Sequence, residues 1–304
     1  MTKSITVTNY RGDSIKLDLA RPELSGFVVK SITGLGPGKA NVNTTEVSTV
    51  DGAQFNSARL SSRNIVISLE FMWKNSIEEV RQLSYKYFPL KKRLKLLVET
   101  DNRKAEIAGY VDNNDPSIFS KSEGSDISII CPNPYFYSAG GSGTQVTVFS
   151  GIDPLFEFPF CNDSLDECLI EMSSIQRYIE KVVTYEGDSE IGITITIHAM
   201  GNASNIAIYN AGTREVMRIN TNKLEEMTGS GIVKGDDIVI CTEQRNKYVH
   251  LIRDGVAINI LNCLAKDADW FRLTKGDNVF AYTAEEGATN LQFKIENRIA
   301  YEGV

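Results

Sequence analysis

The chain has 304 residues, more than one hydrophobic core usually organises, so two domains are expected. Hydrophobic residues make up 42% and charged residues 23%, a globular balance that excludes a disordered chain. The net charge of −7 is split unevenly: residues 1–140 hold 18 Lys and Arg against 15 Asp and Glu, and the remainder 14 against 24. The acidic second part lacks the positive field that a nucleic-acid-binding domain needs. No stretch approaches the ~18 apolar residues that cross a bilayer. The opening MTKSITVTNY has no apolar core of a signal peptide, so a chain that is made in the cytoplasm and does not enter a membrane is expected.

The first element of clear period is the strand Ile65–Phe71, where Ile65, Ile67, Leu69 and Phe71 share one face. A helix over about 76–88 follows. Ser76 and Glu79 form an S-x-x-E capping box, Ile77, Val80, Ser84 and Tyr87 line one side, and Pro89 closes it. Strands are expected at 94–99, 106–111 and 126–131, the last stopped by Pro132-Asn-Pro134. Ser138–Thr144 is the most linker-like stretch, which sets the domains at 1–140 and 141–304. Beyond it helical periodicity is almost absent. Ile191–His198 alternates nearly ideally, and 237–240, 248–252 and 291–295 continue the pattern, with turns at 229–231, 254–255 and 276–278. That spacing predicts an antiparallel β-sandwich. The fold class is therefore mainly β: an N-terminal α+β domain with one helix and a C-terminal sandwich.

No catalytic motif stands out, and neither a cofactor nor a metal is expected. Gly34-Leu-Gly-Pro-Gly-Lys39 resembles a phosphate loop only superficially, since its spacing is wrong and Pro37 lacks a donor N–H. Two histidines and five scattered cysteines are too few for a clustered zinc site, and the cysteines are expected as buried free thiols. Cys241 with His250 is a formal nucleophile pair without a cationic neighbourhood. Asp236-Asp237 and Glu285-Glu286 are expected as solvated turn charges. Lys86, Lys91, Lys92, Arg93 and Lys95, beside Tyr85, Tyr87 and Phe88, form a basic cluster better suited to a solvated face or a subunit contact than to nucleic acid. Trp73 and Trp270 sit in apolar strand-like contexts and are expected in cores.

Residues 33–64 form a polar, Gly- and Thr-rich stretch with scattered Leu35, Val42, Val50 and Phe55 and no helical period. A structureless excursion of that length inside one domain is unusual. It suits an extended arm that packs on a neighbouring copy, as cyclic assemblies require. Leu35, Val42, Val50, Phe55, Arg59 and Arg63 are the candidate subunit-interface residues.

A colinear set of short segments resembles one family. They are Ile32–Asn41, Asp51–Phe55, Ser62–Ile67, Ile77–Arg81, Tyr87–Lys91, Ile107–Val111 and Ile129–Phe136, then Lys234–Ile240, Tyr248–Ile252, Gly255–Asn259, Trp270–Leu273, Lys275–Asn278 and Tyr301–Val304. Together they look like the distal tail proteins of phages with long, non-contractile tails; residues 150–190 fit least well. The resemblance implies a split-barrel-like ring-forming domain, a galectin-like sandwich, and a hexameric ring at the virion's tail tip. It further implies attachment to the tail tube protein and to baseplate or receptor-binding proteins, with DNA passing through the ring as the only nucleic acid. An alternative is a tail-associated protein whose sandwich binds host surface glycans, although no stacked pair of exposed aromatics is legible.

Overall fold

The computed structural model describes residues 1–46, 48, 51–72, 76–120, 122–140, 144–149, 152–154, 173–175 and 180–304. Val50, Trp73, Cys161 and Cys168, singled out above, lie outside them. The chain forms two compact units, one of Met1–Gly143 with Ala300–Val304, the other of Thr144–Ile299. The last five residues, expected with the sandwich, thus return to the first unit.

The first unit is a nine-stranded antiparallel sheet. Its main path runs Ser14–Asp18, Thr2–Thr8, Arg93–Thr100, Lys104–Pro116, Gly124–Cys131, Arg63–Phe71 and Phe27–Thr33. The strand Phe136–Ser138 pairs with both Lys104–Pro116 and the returning Ala300–Tyr301. Period-two alternation sends Ile65, Ile67, Leu69 and Phe71 into one core with Ile5, Val7, Leu96, Val98, Ile127 and Ile129. Each such side chain contributes ~1.5–3 kcal/mol by leaving water. Phe27 meets Phe71 edge to face at 5.8 Å.

The helix spans Ile77–Tyr87 and buries Val80 and Ser84, with Ile77 and Tyr87 partly covered by the same core. Ser76 stands at the N-cap, but its side chain accepts no capping bond, so the expected capping box does not form. Glu78 and Glu79 still place negative charge at the positive end of the helix dipole.

The second unit has a six-stranded sheet, ordered Thr144–Phe149, Leu291–Arg298, Thr194–Ala199, Asp237–Cys241, Tyr248–Arg253, Val256–Asn259. A four-stranded sheet, ordered Glu180–Tyr185, Gly276–Glu286, Ser204–Asn210, Glu215–Ile219, completes an antiparallel sandwich. Tyr282 of the smaller sheet stacks on Phe293 of the larger at 3.9 Å, and Phe271 meets Phe280 edge to face at 5.6 Å. The strand expected at 191–198 is broken after Gly192, where an added Cβ would lie 2.5 Å from the Glu243 backbone. Gly276–Asn278, expected as a turn, opens a long strand. A short helix, Thr221–Thr228, also interrupts the predicted all-β half. Asn220 caps it by accepting from the N–H groups of Asn222 and Lys223, and Gly229 ends it at φ +81°.

Among the described residues no helix is long and apolar enough to cross a membrane.

Candidate interaction surface

The arm is not structureless. Ala40–Glu46 and Ala53–Leu60 pair as a two-stranded antiparallel hairpin that makes no ladder with the main sheet. Direct cross-strand partners share a face, and the register sorts the hairpin into two. One face carries Ala40, Val42, Thr44, Phe55, Ala58 and Leu60, with Glu46 and Ala53 at its far end; the other carries Asn41, Asn43, Thr45, Gln54, Ser57 and Arg59. The register slips between Asn43 and Thr44, leaving Asn56 as an extra residue. Without that bulge Phe55 would fall on the polar face, because one residue of slip inverts a strand. Asn56 instead donates to the Thr45 hydroxyl at 2.6 Å.

The apolar face is left in water. Val42 is 59% exposed and Phe55 62%, and among the described residues of the hairpin only Leu60 is even half-buried. An isolated two-stranded ribbon is marginal in water. A ribbon with one apolar side and free edges on both strands presents a hydrophobic face and unpaired backbone groups together.

The root of the arm is, by contrast, tightly held. Arg63, 4% exposed, starts the strand on the outgoing side of the hairpin. Its Nε donates to the Pro134 carbonyl at 2.7 Å, and its Nη1 to the carbonyls of Gly34, at 2.7 Å, and Gly36. Its Nη2 donates to the Glu302 carbonyl at 2.6 Å, and the guanidinium lies 4.8 Å over the Phe136 ring. Arg63 was expected at a subunit interface; its fork is instead spent inside the chain on four backbone carbonyls. Burial lowers its pKa, while Cys131 and Glu302 act the other way. Beside it, burial pushes the Cys131 thiol up to about 11, with Arg63 opposing, so the thiol stays neutral.

The 34–39 turn therefore turns carbonyls, not N–H groups, toward a charge, the reverse of a phosphate loop. Gly34 has φ +85°, and a Cβ there would come within 2.2 Å of the Asn64 carbonyl oxygen, so only glycine fits. Leu35, half-buried, packs against the core rather than joining the exposed face. Arg59 is exposed on the polar face.

A second surface of this unit is a groove of about 480 Å³. It lies beside Ser14–Asp18, the terminal strand of the sheet, with Ile15, Leu24, Leu83 and Tyr87 as its apolar lining and Lys16 and Arg21 among its charges. The basic cluster at the helix end is solvated and cushioned by rings, with Lys92 5.5 Å from the Tyr10 ring and Lys86 5.3 Å from Tyr87.

The other singled-out groups hold structure. Cys131, Cys241 and Cys263 are buried free thiols. The Cys241 sulfur takes a long contact from Asn246, and His250 stacks on Tyr248 at 4.6 Å, so the two are not arranged as nucleophile and base. Asp236 is 1% exposed and receives Arg253 on both oxygens, at 2.8 and 2.6 Å, rather than standing in solvent. Asp237 instead pairs with His198 at 2.7 Å. Trp270 is only half-buried, with Lys247 4.8 Å from its ring. Among the described residues no group of three or more potential metal ligands occurs.

No protein-family model and no curated protein sequence matches the chain. Solved structures do. The crystal structure of the Dit protein of phage SPP1, a hub of the adsorption apparatus in phages infecting Gram-positive bacteria, is similar with a TM-score of 0.64. Identity is 11% over 97% of this chain and 98% of that one. A chain of the phage P2 baseplate in its activated, Ca-bound conformation gives a TM-score of 0.48 at 14% identity, covering 98% and 99%. With a TM-score of 0.64 over nearly the full length of both proteins, the chain has the fold of the SPP1 hub protein.

Proposed function

We propose that this protein is a structural component of a phage tail tip, a hub that closes into a ring, with six copies as the expected number. The observation that carries this reading is the amphipathic hairpin 40–60, whose apolar face leaves Val42 and Phe55 exposed. The shared fold with a phage adsorption hub supports it.

Ring closure needs a heterologous contact, one patch meeting a different patch on the next copy. The hairpin supplies the first patch; between residues 40 and 58 its only charges are Glu46 and Asp51. The groove beside Ser14–Asp18 offers the second, with apolar lining and a terminal strand to pair with; its cations are already partnered, Arg21 by Asp18 at 3.7 Å and Lys16 by Glu99 at 3.5 Å. In this arrangement the first unit builds the ring, the acidic sandwich presents a surface to other tail-tip or baseplate proteins, and the tail tube stacks on the ring. The protein would reside in the virion. Deleting residues 36–60 should leave monomer; a ring that survives the deletion contradicts the role of the arm.

One observation favours a second reading, in which the sandwich binds host glycans. Tyr248 and His250 form a stacked aromatic pair on one face of the six-stranded sheet, a pair the sequence did not reveal. Saturable binding of glycans that is lost on Tyr248→Ala would support it, and its absence across a glycan panel would exclude it.

A further inference from the structure

The arm and the end of the chain meet at one place. Ala300–Tyr301 pairs with Phe136–Ser138, and the next three residues run across the root of the hairpin. The Glu302 carbonyl takes the Arg63 Nη2 at 2.6 Å. Gly303 packs so closely on the turn that an added Cβ would lie 3.1 Å from the Gly36 backbone and the Leu35 carbonyl oxygen. The Val304 N–H donates to the Leu35 carbonyl at 3.0 Å. Outside this seam Arg103 grips the same segment, its guanidinium 4.4 Å over the Tyr301 ring.

The two sides come from opposite ends of the folding problem. The turn 34–39 and Arg63 belong to the first 143 residues, while 300–304 follow the entire second unit. The hairpin itself has no ladder to the main sheet, so its direction is set where it leaves the unit. There the fixed points are the Arg63 fork, which bridges Gly34, Gly36 and Glu302, and the Ser61 N–H bonded to the Lys39 carbonyl at 3.3 Å. Arginine suits this, since one planar group can hold several carbonyls of separate segments in fixed directions.

We infer that residues 300–304 act as a strap that sets the arm, with Arg63 as its buckle. Until the strap docks, the Leu35 carbonyl lacks the Val304 N–H, Gly36 lacks its packing on Gly303 and the Arg63 fork lacks Glu302. The root is then held only by the bonds of Arg63 to Gly34, Gly36 and Pro134 and of Ser61 to Lys39, and the hairpin is less firmly set. Once docked, the arm points one way. The arm is therefore set only in a chain whose second unit has been made and folded far enough to bring residue 300 back. A chain without residues 300–304 in place is thereby kept from joining an assembly. The strap rests on the contacts just described; its consequence for assembly rests on the arm's role as proposed above.

Hydrogen exchange on the full chain tests it, read by mass spectrometry at low concentration. Two variants are compared with the parent: one lacking residues 300–304, and Gly303→Val, which keeps the chain and wedges the strap off the turn. Both should raise exchange about tenfold in the peptide covering 61–64, where the Ser61 N–H is bonded to the Lys39 carbonyl, with the strands Thr2–Thr8 and Arg93–Thr100 protected as in the parent. Unchanged exchange at the root in both variants overturns the strap, whatever assembly does. A loosened root together with unaltered assembly upholds the strap and contradicts the arm's part in ring closure.

Discussion

Arg63 and Glu302 lie 239 residues apart, yet the guanidinium of the first donates to the backbone carbonyl of the second at 2.6 Å. The bond ties the start of a core strand, the root of an exposed hairpin and the returning end of the chain into one seam. Hydrogen bonds from a charged donor are worth roughly twice neutral ones. Removing the donor would leave four carbonyl acceptors to find new partners.

Arg63→Leu should therefore destabilise the first unit by about 2–4 kcal/mol, because unsatisfied buried acceptors cost about 1–3 kcal/mol each and water will rescue some of them. Arg63→Lys should recover little, since one ammonium cannot span the fork. Urea unfolding followed in the first unit measures both. A loss under 0.5 kcal/mol for the leucine variant would show that the seam is ornamental.

Cys131 makes stability depend on alkaline pH. Its folded pKa, about 11, lies above the unfolded value near 8.5, so the folded state favours the neutral thiol. That contribution is fully present below the unfolded pKa and is lost as pH rises from about 8.5 through about 11. The urea midpoint of the first unit should fall across that window more steeply in the parent than in Cys131→Ala. Parallel curves would contradict the assignment.

In the sandwich, Arg253 is the counter-ion of the buried Asp236 carboxylate and also reaches the Gly231 carbonyl at 2.6 Å. The hydrogen bond and charge of Asp236 raise the Arg253 pKa, so the arginine is charged throughout the accessible pH range. Arg253→Leu should cost the second unit about 3 kcal/mol, because it leaves a buried carboxylate without its partner. Arg253→Leu with Asp236→Leu should cost less than the single change. A double variant that is worse than the single would mean the pair stabilises by packing rather than by charge.

The proposed seating of the arm in the groove, which would bring Glu46 to Arg21, is open to a charge swap. Arg21→Glu should weaken self-association by about tenfold, and adding Glu46→Lys should restore part of it, as complementary contacts across one interface do. Sedimentation velocity measures both. Additive weakening in the double variant would place the arm's tip elsewhere.

Much of the fold was legible because a strand buried on one face must alternate. Ile65–Phe71 and Ile195–Ile197 announce themselves by period two, and the helix at 77–87 by its spacing of Ile77, Val80, Ser84 and Tyr87. The hairpin was missed because its apolar side is thin, with Val42, Phe55 and Leu60 among alanines, and its register depends on the bulge at Asn56. The helix at 221–228 left a signal that could have been read, the Asn220 cap nine residues ahead of the closing Gly229. Val42 and Phe55, named from the sequence as candidate contacts, are exposed in the single chain. The burial of Arg63 was not, because its partners at 134 and 302 are brought to it by the fold and no local pattern marks them. The fate of Asp236 was hidden for the same reason, since Arg253 reaches it across two strands.

The most direct test concerns the exposed face of the hairpin. Light scattering behind size-exclusion chromatography should show the parent as a closed assembly of about 200 kDa, six copies of 33.7 kDa. The pair Val42→Asp and Phe55→Asp should elute as a 33.7 kDa monomer with thermal unfolding within ~0.5 kcal/mol of the parent, since both side chains are exposed in the single chain. A parent that stays monomeric at every concentration, or a doubly substituted chain that still closes into the full assembly, would contradict a ring built through this arm.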